Sequence, residues 1–164
     1  DMQYRLEKIH QVDVTQDPVR PELSLEFRTS PGREMYALKD EQGNNAAVIC
    51  VCYTKQVPTT VFEMEAFTNP TGSIAIAYTV WSNVKGAGKT IIDHLLEYAR
   101  NSEHIKRVVT LSPLTLMAKR FHTKNGAIRI SLNKETQNFE YSINDTRWET
   151  ALKKAKRWFN LHRL

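Results

Sequence analysis

Residues 81–90 read Trp-Ser-Asn-Val-Lys-Gly-Ala-Gly-Lys-Thr, and this stretch decides the fold because of what stands on either side of it. Residues 73–81 form a near-continuous apolar run that is typical of a central strand. Residues 91–99 carry apolar side chains at helical spacing. The two glycines let the backbone curl around an anion, to which the free N–H groups of a helix start can donate. The stretch therefore predicts a strand–loop–helix unit that binds phosphate, with a simple turn as the alternative.

The wider pattern places this unit inside one α/β domain that covers residues 1–164. Strands before the unit are predicted at 9–14, 35–38 and 46–53, the last two as a hairpin, and residues 59–67 fit either a helix or a strand. After it come a strand at 107–111, a helix at 114–124, a hairpin of 127–132 with 139–143, and a basic helix at about 146–162. This order predicts a single mixed central sheet of about six to seven strands, with flanking helices and a parallel crossover in its middle.

Composition narrows the functional class. Hydrophobic residues make up 41% and charged residues 25% of the sequence, as in ordinary globular domains. No apolar run approaches the roughly 18 residues that span a bilayer, and the polar start carries no signal-peptide pattern. Cys50 and Cys52 stand two apart in one apolar run without other Cys or His nearby, which predicts buried thiols in a reducing compartment and no metal site. We therefore expect a cytoplasmic protein that does not contact a membrane.

Charge is distributed unevenly along the chain. Residues 1–100 hold 10 basic and 13 acidic side chains, a balance of −3, whereas residues 101–164 hold 13 and 5, a balance of +8. A basic half suits an anionic partner, such as a phosphorylated cofactor, a nucleic acid or an acidic protein. The last helix concentrates this charge on one side. A solvated basic surface without a partner is the alternative interpretation.

Two classes of phosphate loop compete for residues 81–90. Residues 86–90 end like a Walker A loop, whose pattern is GxxxxGK(S/T). That pattern needs its first glycine at position 83, where this sequence has Asn83. A nucleoside triphosphatase also needs an acid at the end of a second strand to help hold magnesium, and residues 107–112 end without one. The sequence therefore disfavours a P-loop.

The second class fits better. Residues 85–90 read Lys-Gly-Ala-Gly-Lys-Thr, and residues 112–127 place Ala118, Phe121 and Gly126 at fixed distances downstream. Together they resemble the two signatures of the GNAT acyltransferases: a Q/R-x-x-G-x-G/A loop, and a segment with Asn, Ala three residues later, Phe-Tyr and a Gly-Phe ending. The resemblance covers residues 73–143, and the first 70 residues agree with it only in their strand pattern.

This sequence departs from the GNAT pattern at several positions. Lys85 replaces Gln or Arg, and Thr90 replaces the last small residue of the loop. In the second signature, Thr115 stands where Asn is common, His122 where the catalytic Tyr usually stands, and Ala127 where Phe is common. Lys85 keeps a cationic donor but loses the geometry of an amide or a guanidinium.

The resemblance implies a cofactor and a place for it. In GNAT enzymes two central parallel strands separate, and the pantetheine arm of CoA lies in the gap, which here would fall between residues 78–81 and 110–112. The implied cofactor is acetyl-CoA or another short acyl-CoA, and the implied acceptor is an amine on a small molecule, a protein or a nucleic acid. The implied cofactor-binding residues are Tyr78, Val80, Lys85, Gly86, Ala87, Gly88, Lys89, Thr90, Ser112 and Thr115.

The resemblance also implies catalytic residues. Acyl transfer needs a donor for the tetrahedral oxyanion, for which the resemblance implies the backbone N–H near Val80, and a proton for the departing thiolate. His122 stands at the position of the family's acid, and an imidazole can supply a proton near neutral pH. Glu65, with Glu63 two residues before it, is the candidate general base, although ordinary surface charge is the favoured interpretation of both carboxylates.

Alternatives to N-acyl transfer stay open. Residues 121–127 are similar to the FHxxNGA segment of malonyl-CoA decarboxylase, whose catalytic part is GNAT-like, so decarboxylation at a CoA site that includes His122 is one alternative. A non-catalytic GNAT-like module is the other, with the basic side of the last helix, from Lys153 to Trp158, binding nucleic acid or an acidic protein. The sequence also leaves a homodimer open.

Overall fold

The computed structural model describes residues 3–144 and 155–162 of the chain, and within these residues it has one eight-stranded sheet with helices on both faces. The strands are β1 (Arg5–Ile9), β2 (Arg33–Lys39), β3 (Asn45–Thr54), β4 (Ile74–Ser82), β5 (Arg107–Thr110), β6 (Ser112–Pro113), β7 (Ile128–Leu132) and β8 (Thr136–Tyr141). The helices are α1 (Leu25–Thr29), α2 (Val61–Phe67), α3 (Ala87–Arg100) and α4 (Leu116–Lys124), with a 3-10 turn at Val14–Gln16.

The sheet is mixed, with its parallel pair in the middle. Its order is β1-β2-β3-β4-β5-β8-β6, and β7 pairs with β8. The pair β4–β5 is parallel and the other pairs are antiparallel. The predicted fold class, a mixed α/β sheet with a central parallel crossover, is confirmed. Both predicted hairpins, β2–β3 and β7–β8, form as antiparallel pairs.

Two apolar cores lie on opposite faces of the sheet. On one face α3 buries Ile91, Ile92 and Leu95 against the strands, as its helical spacing predicts. On the other face Met64 of α2 packs with strand residues that include Tyr78. Because β4 lies between both cores, its side chains are buried on either side, which explains its continuous apolar sequence.

The predicted strand at 9–14 is wrong. The strand β1 ends at Ile9, and Val14 begins a 3-10 turn. The cause is local, because the Asp13 carboxylate accepts hydrogen bonds from Thr15 N at 3.1 Å and Thr15 Oγ1 at 2.6 Å. Such side-chain capping competes with an extended backbone.

Capping interactions also explain why residues 61–67, in the segment that fits either a helix or a strand, form a helix. The Thr60 hydroxyl accepts from Glu63 N at 2.9 Å, and the Glu63 carboxylate accepts from Thr59 N at 2.8 Å. This reciprocal arrangement closes the first turn of α2 in the manner of a capping box. The α4 helix likewise starts at Leu116, two residues later than predicted, because the Thr115 hydroxyl caps Ala118 N at 3.2 Å.

The predicted basic helix at about 146–162 lies partly outside the described residues. Residues 155–162 are helical and exposed, and they include Lys156, Arg157 and Trp158. An anionic partner for this helix stays a prediction. Of the helices in the described part of the chain, none has the length and apolarity to cross a membrane.

A buried ion pair ties the segment before α1 to the sheet. Arg28 Nη1 donates to Asp17 Oδ2 at 2.7 Å, and neither side chain is exposed to solvent. The same carboxylate accepts from Thr79 Oγ1 of β4 at 2.8 Å and from the backbone of Val19 and Arg20. Each lone pair of the buried carboxylate thus finds a donor, which is the condition under which buried charges are tolerated.

We predict that Asp17→Asn lowers the free energy of unfolding by about 3–5 kcal/mol, because it leaves the Arg28 guanidinium buried without a counter-charge. Urea denaturation followed by circular dichroism measures the change. Asp93→Asn is the control, since it removes one partner of the exposed Lys89–Asp93 pair and should change stability little. A loss for Asp17→Asn as small as that of the control would show that the buried pair is not the anchor of this segment.

Candidate active site

The two central parallel strands separate at Tyr78. Their pairing ends at Ala77 opposite Thr110, with one last hydrogen bond from Leu111 N to Ala77 O at 3.0 Å. On the other side of β4 the register with β3 jumps at the same place, so that Tyr78 has no partner residue and forms a bulge. A bulge bends its strand and increases the local twist. Beyond Ala77, β4 therefore turns away from the chain that continues β5.

A cavity of about 570 Å³ lies in the resulting gap. Its walls come from both faces of the sheet: one part from the segment that precedes α1, another from α3 and α4. The lining residues are Gln16, Pro18, Val19, Ala77, Tyr78, Thr79, Val80, Trp81, Ser82, Asn83, Gly88, Ser112, Pro113, Thr115, Met117, Ala118, Phe121 and His122. Among the described residues none that lines the cavity is Asp, Glu, Lys or Arg.

The glycine loop opens α3 without a side-chain cap. Gly86 is the N-cap residue at a φ of 85°, a left-handed conformation that glycine adopts without strain. No side chain accepts a hydrogen bond from the first turn of the helix. Ala87 N already donates to Val84 O at 3.1 Å, so it is the N–H groups of Gly88 and Lys89, together with the helix dipole, that can receive an anion. The loop adjoins the cavity through Asn83 and Gly88.

Gly88 has a packing role as well. A Cβ built on it would lie 3.0 Å from Cε1 and 3.3 Å from Cζ of Phe121 in α4. A larger residue at position 88 would have to displace the Phe121 ring, so such a variant would not separate altered packing from a lost ligand contact. Gly86 has no such neighbour within 4 Å, so it is the better position at which to test the loop.

The cations of the loop are exposed rather than turned into the cavity. Lys85 and Lys89 are both exposed, and Lys89 Nζ lies 2.7 Å from Asp93 Oδ2 one turn along α3. Thr90 Oγ1 donates to Gly86 O at 3.3 Å, which steadies the loop backbone. Ala87 is buried against the core. The predicted loop residues other than Gly88 thus stand beside the cavity, not in its lining.

His122 lies at the wall of the cavity and is buried. Its Nδ1 is 2.7 Å from the hydroxyl of Tyr141, and its ring packs against Phe121 and Phe139. Burial lowers the pKa of His122 to about 4. The imidazole is therefore neutral at pH 7, and a role as general acid would require that a proton reach the ring during the reaction.

The structure brings some predicted site residues together and leaves others apart. Tyr78, Val80, Gly88, Ser112, Thr115 and His122 all line the cavity. Glu65 does not, because it lies on the exposed side of α2, and Glu63 is engaged in the cap of that helix. No group of His, Cys, Asp or Glu in the described part of the chain could hold a metal ion.

Sequence reasoning missed two residues beside the cavity. Arg20 is buried and donates from Nε to Tyr78 O at 2.8 Å and from Nη2 to Leu111 O at 3.0 Å. The Tyr141 hydroxyl forms a hydrogen bond with Nδ1 of His122. Neither has a local signature, because each acts on residues far along the chain. The two prolines that flank Val19 and Arg20 indicate a turn and nothing more.

We expect NMR to show that the His122 ring stays neutral until the pH falls to about 4, because burial disfavours its charged form. An unfolded histidine takes up its proton near pH 6.5. As the pH falls from about 6.5 to about 4, the folded state therefore loses about 3 kcal/mol of stability relative to the unfolded state. A His122 resonance that titrates near 6.5 would contradict this burial.

No family model matches the sequence, and no curated protein sequence matches it either. Solved structures do match. One is the GphF GNAT-like decarboxylase in complex with isobutyryl-CoA, with a TM-score of 0.66 and 14% identity over 85% of this chain and 100% of the other. Another is spermidine N-acetyltransferase from Vibrio cholerae in complex with CoA and spermine, with a TM-score of 0.54 and 12% identity over 84% and 92%.

A third match is malonyl-CoA decarboxylase from Rhodopseudomonas palustris, with a TM-score of 0.63 and 15% identity. It covers 93% of this chain but 63% of the other, so this chain spans less than two thirds of that enzyme. The matched structures thus include acetyltransferases and decarboxylases on one scaffold. The separated parallel strands, the loop that opens α3 and these matches establish that the chain has the GNAT fold.

Proposed function

We propose that the protein is an enzyme that acts on the thioester of an acyl-CoA. The observation that carries this proposal is the gap between β4 and β5, which forms a cavity of about 570 Å³ that begins beside the uncapped start of α3. The uncapped helix start and the cavity beside it match the two parts of CoA, its pyrophosphate and its pantetheine arm.

The placement of CoA follows from these parts. The loop backbone from Val84 to Thr90 would receive the pyrophosphate, since Gly86 leaves the helix N–H groups without a side-chain cap. The pantetheine amides would pair with main-chain groups of β4 beyond Ala77, which have no strand neighbour on that side. Acetyl-CoA or another short acyl-CoA would then present its thioester near Val80 and His122, at the wall of the cavity.

Transfer of the acyl group to an amine is the first candidate reaction. The cavity is lined from both faces of the sheet, so a cofactor on the α3 side and an acceptor on the side of Pro18 and Val19 can meet within it. The amine nitrogen attacks the thioester carbon, the C–S bond breaks, and the thiolate takes up a proton that the amine loses. A neutral His122 can carry this proton between them.

Decarboxylation of an acyl group that carries a carboxylate is the second candidate. It is favoured by the cavity lining, which includes His122 but no carboxylate among the described residues that could serve as a base for an amine. The C–C bond to the carboxylate breaks, CO2 leaves, and the electron pair forms the thioester enolate, which then takes a proton on carbon. An apolar site assists because it removes water from the carboxylate. The similarity of residues 121–127 to malonyl-CoA decarboxylase supports this candidate.

We predict that CoA raises the melting temperature of the wild-type protein, that ATP with magnesium does so much less, and that Gly86→Ala removes most of the effect. Alanine at a φ of 85° strains the loop and shifts the N–H groups that receive the phosphate. Gly43→Ala is the matched control, because Gly43 has a φ of 83° and equally open space in a remote turn. Equal loss of CoA binding in both variants would exclude the loop as the phosphate site.

Mass spectrometry of the products should separate the two reactions. N-acyl transfer predicts that acetyl-CoA with an amine panel gives CoA and an acylated amine, whereas decarboxylation predicts that malonyl-CoA gives acetyl-CoA and CO2 without any acceptor. His122→Gln should lower either rate by roughly 10²–10⁴-fold, because it removes the proton carrier while keeping a polar side chain. CoA binding without turnover of either kind would instead support a non-catalytic module.

A further inference from the structure

Arg20 lies where the two strands begin to separate. Its Nε donates to Tyr78 O of β4 at 2.8 Å, and its Nη2 donates to Leu111 O, just after β5, at 3.0 Å. The residue is buried, with 7% of its surface exposed. One planar guanidinium therefore spans the gap and satisfies a carbonyl on each rim.

This bridge replaces one backbone hydrogen bond between β4 and the chain that follows β5. The last rung of the β4–β5 ladder runs from Leu111 N to Ala77 O. In a regular parallel ladder Leu111 O would accept from the next N–H of β4. Here it accepts from Arg20, because the bulge at Tyr78 carries β4 away. A side chain thus replaces a backbone hydrogen bond at the point where the cavity begins.

Hydrogen bonds to the backbone of Arg20 hold the bridging residue in place. Arg20 N donates to Asp17 Oδ1 at 3.1 Å, and Arg28 Nη2 donates to Arg20 O at 2.7 Å. Asp17 also accepts from Thr79 Oγ1, on the strand that Arg20 contacts. The backbone of Arg20 is therefore fixed from both sides by a buried ion pair, and its neighbours Pro18 and Val19 form part of the cavity wall.

We propose that Arg20 is a positioning residue that fixes the width of the strand gap and thereby holds the backbone at Thr79 to Trp81 in position for the pantetheine arm of CoA. The guanidinium suits this role because its rigid fork donates in two directions at once. A lysine ammonium is a single point donor on a flexible stem and does not hold two carbonyls at a fixed separation. This inference rests on the proposed CoA site.

The test compares Arg20→Lys and Arg20→Met with the matched control Arg33→Met. Arg33 is also partly buried and donates to a backbone carbonyl, that of Phe27, but it does not line or span the cavity. Isothermal titration should show CoA affinity weakened roughly 10-fold by Arg20→Lys and roughly 100-fold by Arg20→Met, the range for lost hydrogen bonds from a charged group. Arg33→Met should lower the melting temperature with CoA affinity unchanged.

A second readout does not depend on the ligand. Hydrogen exchange of the Leu111 amide, the last hydrogen bond of the β4–β5 ladder, should accelerate in Arg20→Lys at least about 10-fold more than exchange of the amides in β3. In Arg33→Met the Leu111 and β3 amides should change by the same factor. If the wild-type protein does not bind CoA, the proposed function fails, while the exchange rate still decides whether Arg20 holds the gap. Unchanged exchange and unchanged CoA affinity in folded Arg20→Lys would overturn the proposal.

Discussion

The separation of β4 from β5 is the constraint on which the rest of the structure depends. A parallel pair in the middle of a sheet normally continues until its strands end, because every unpaired backbone group inside a protein raises its free energy. Here the pair stops at Ala77. Arg20 supplies a donor to two of the carbonyls that this leaves behind, those of Tyr78 and Leu111. The strand beyond Ala77 lines the cavity.

The segment from Asp13 to Thr29 follows from this need. By length it is a connection with two short helices, yet it carries a buried ion pair and a bridging arginine. Ion pairs of this kind seldom add net stability over an apolar core. This one connects the segment to β4, because Asp17 accepts from Arg28 and from Thr79. The segment therefore positions Arg20 at the gap between β4 and β5, while the apolar cores on both faces stabilise the sheet.

Patterns that are local in sequence predicted their structures well. The apolar run of β4, the spacing of α3 and the glycine loop each depend on neighbours within a few residues, and the fold class followed from their order. The missed features act over long separations: Arg20 bonds a carbonyl 91 residues away, and Tyr141 holds His122 from 19 residues away. Such long-range contacts leave no periodic pattern in the sequence. The misplaced β1 had a different cause, since the side chain of Asp13 ended the extended pattern.

The contact between Gly88 and Phe121 has a consequence for substitutions at either position. Because a Cβ at position 88 would lie 3.0 Å from the Phe121 ring, the two positions share one volume between α3 and α4. Alanine at 88 therefore requires the Phe121 ring to move by a few tenths of an ångström or to be replaced by a smaller side chain. Phe121 also packs on His122, so a substitution at Gly88 that moves the Phe121 ring also changes the packing of the imidazole. The glycine loop and the cavity wall at His122 can thus influence each other through one aromatic ring.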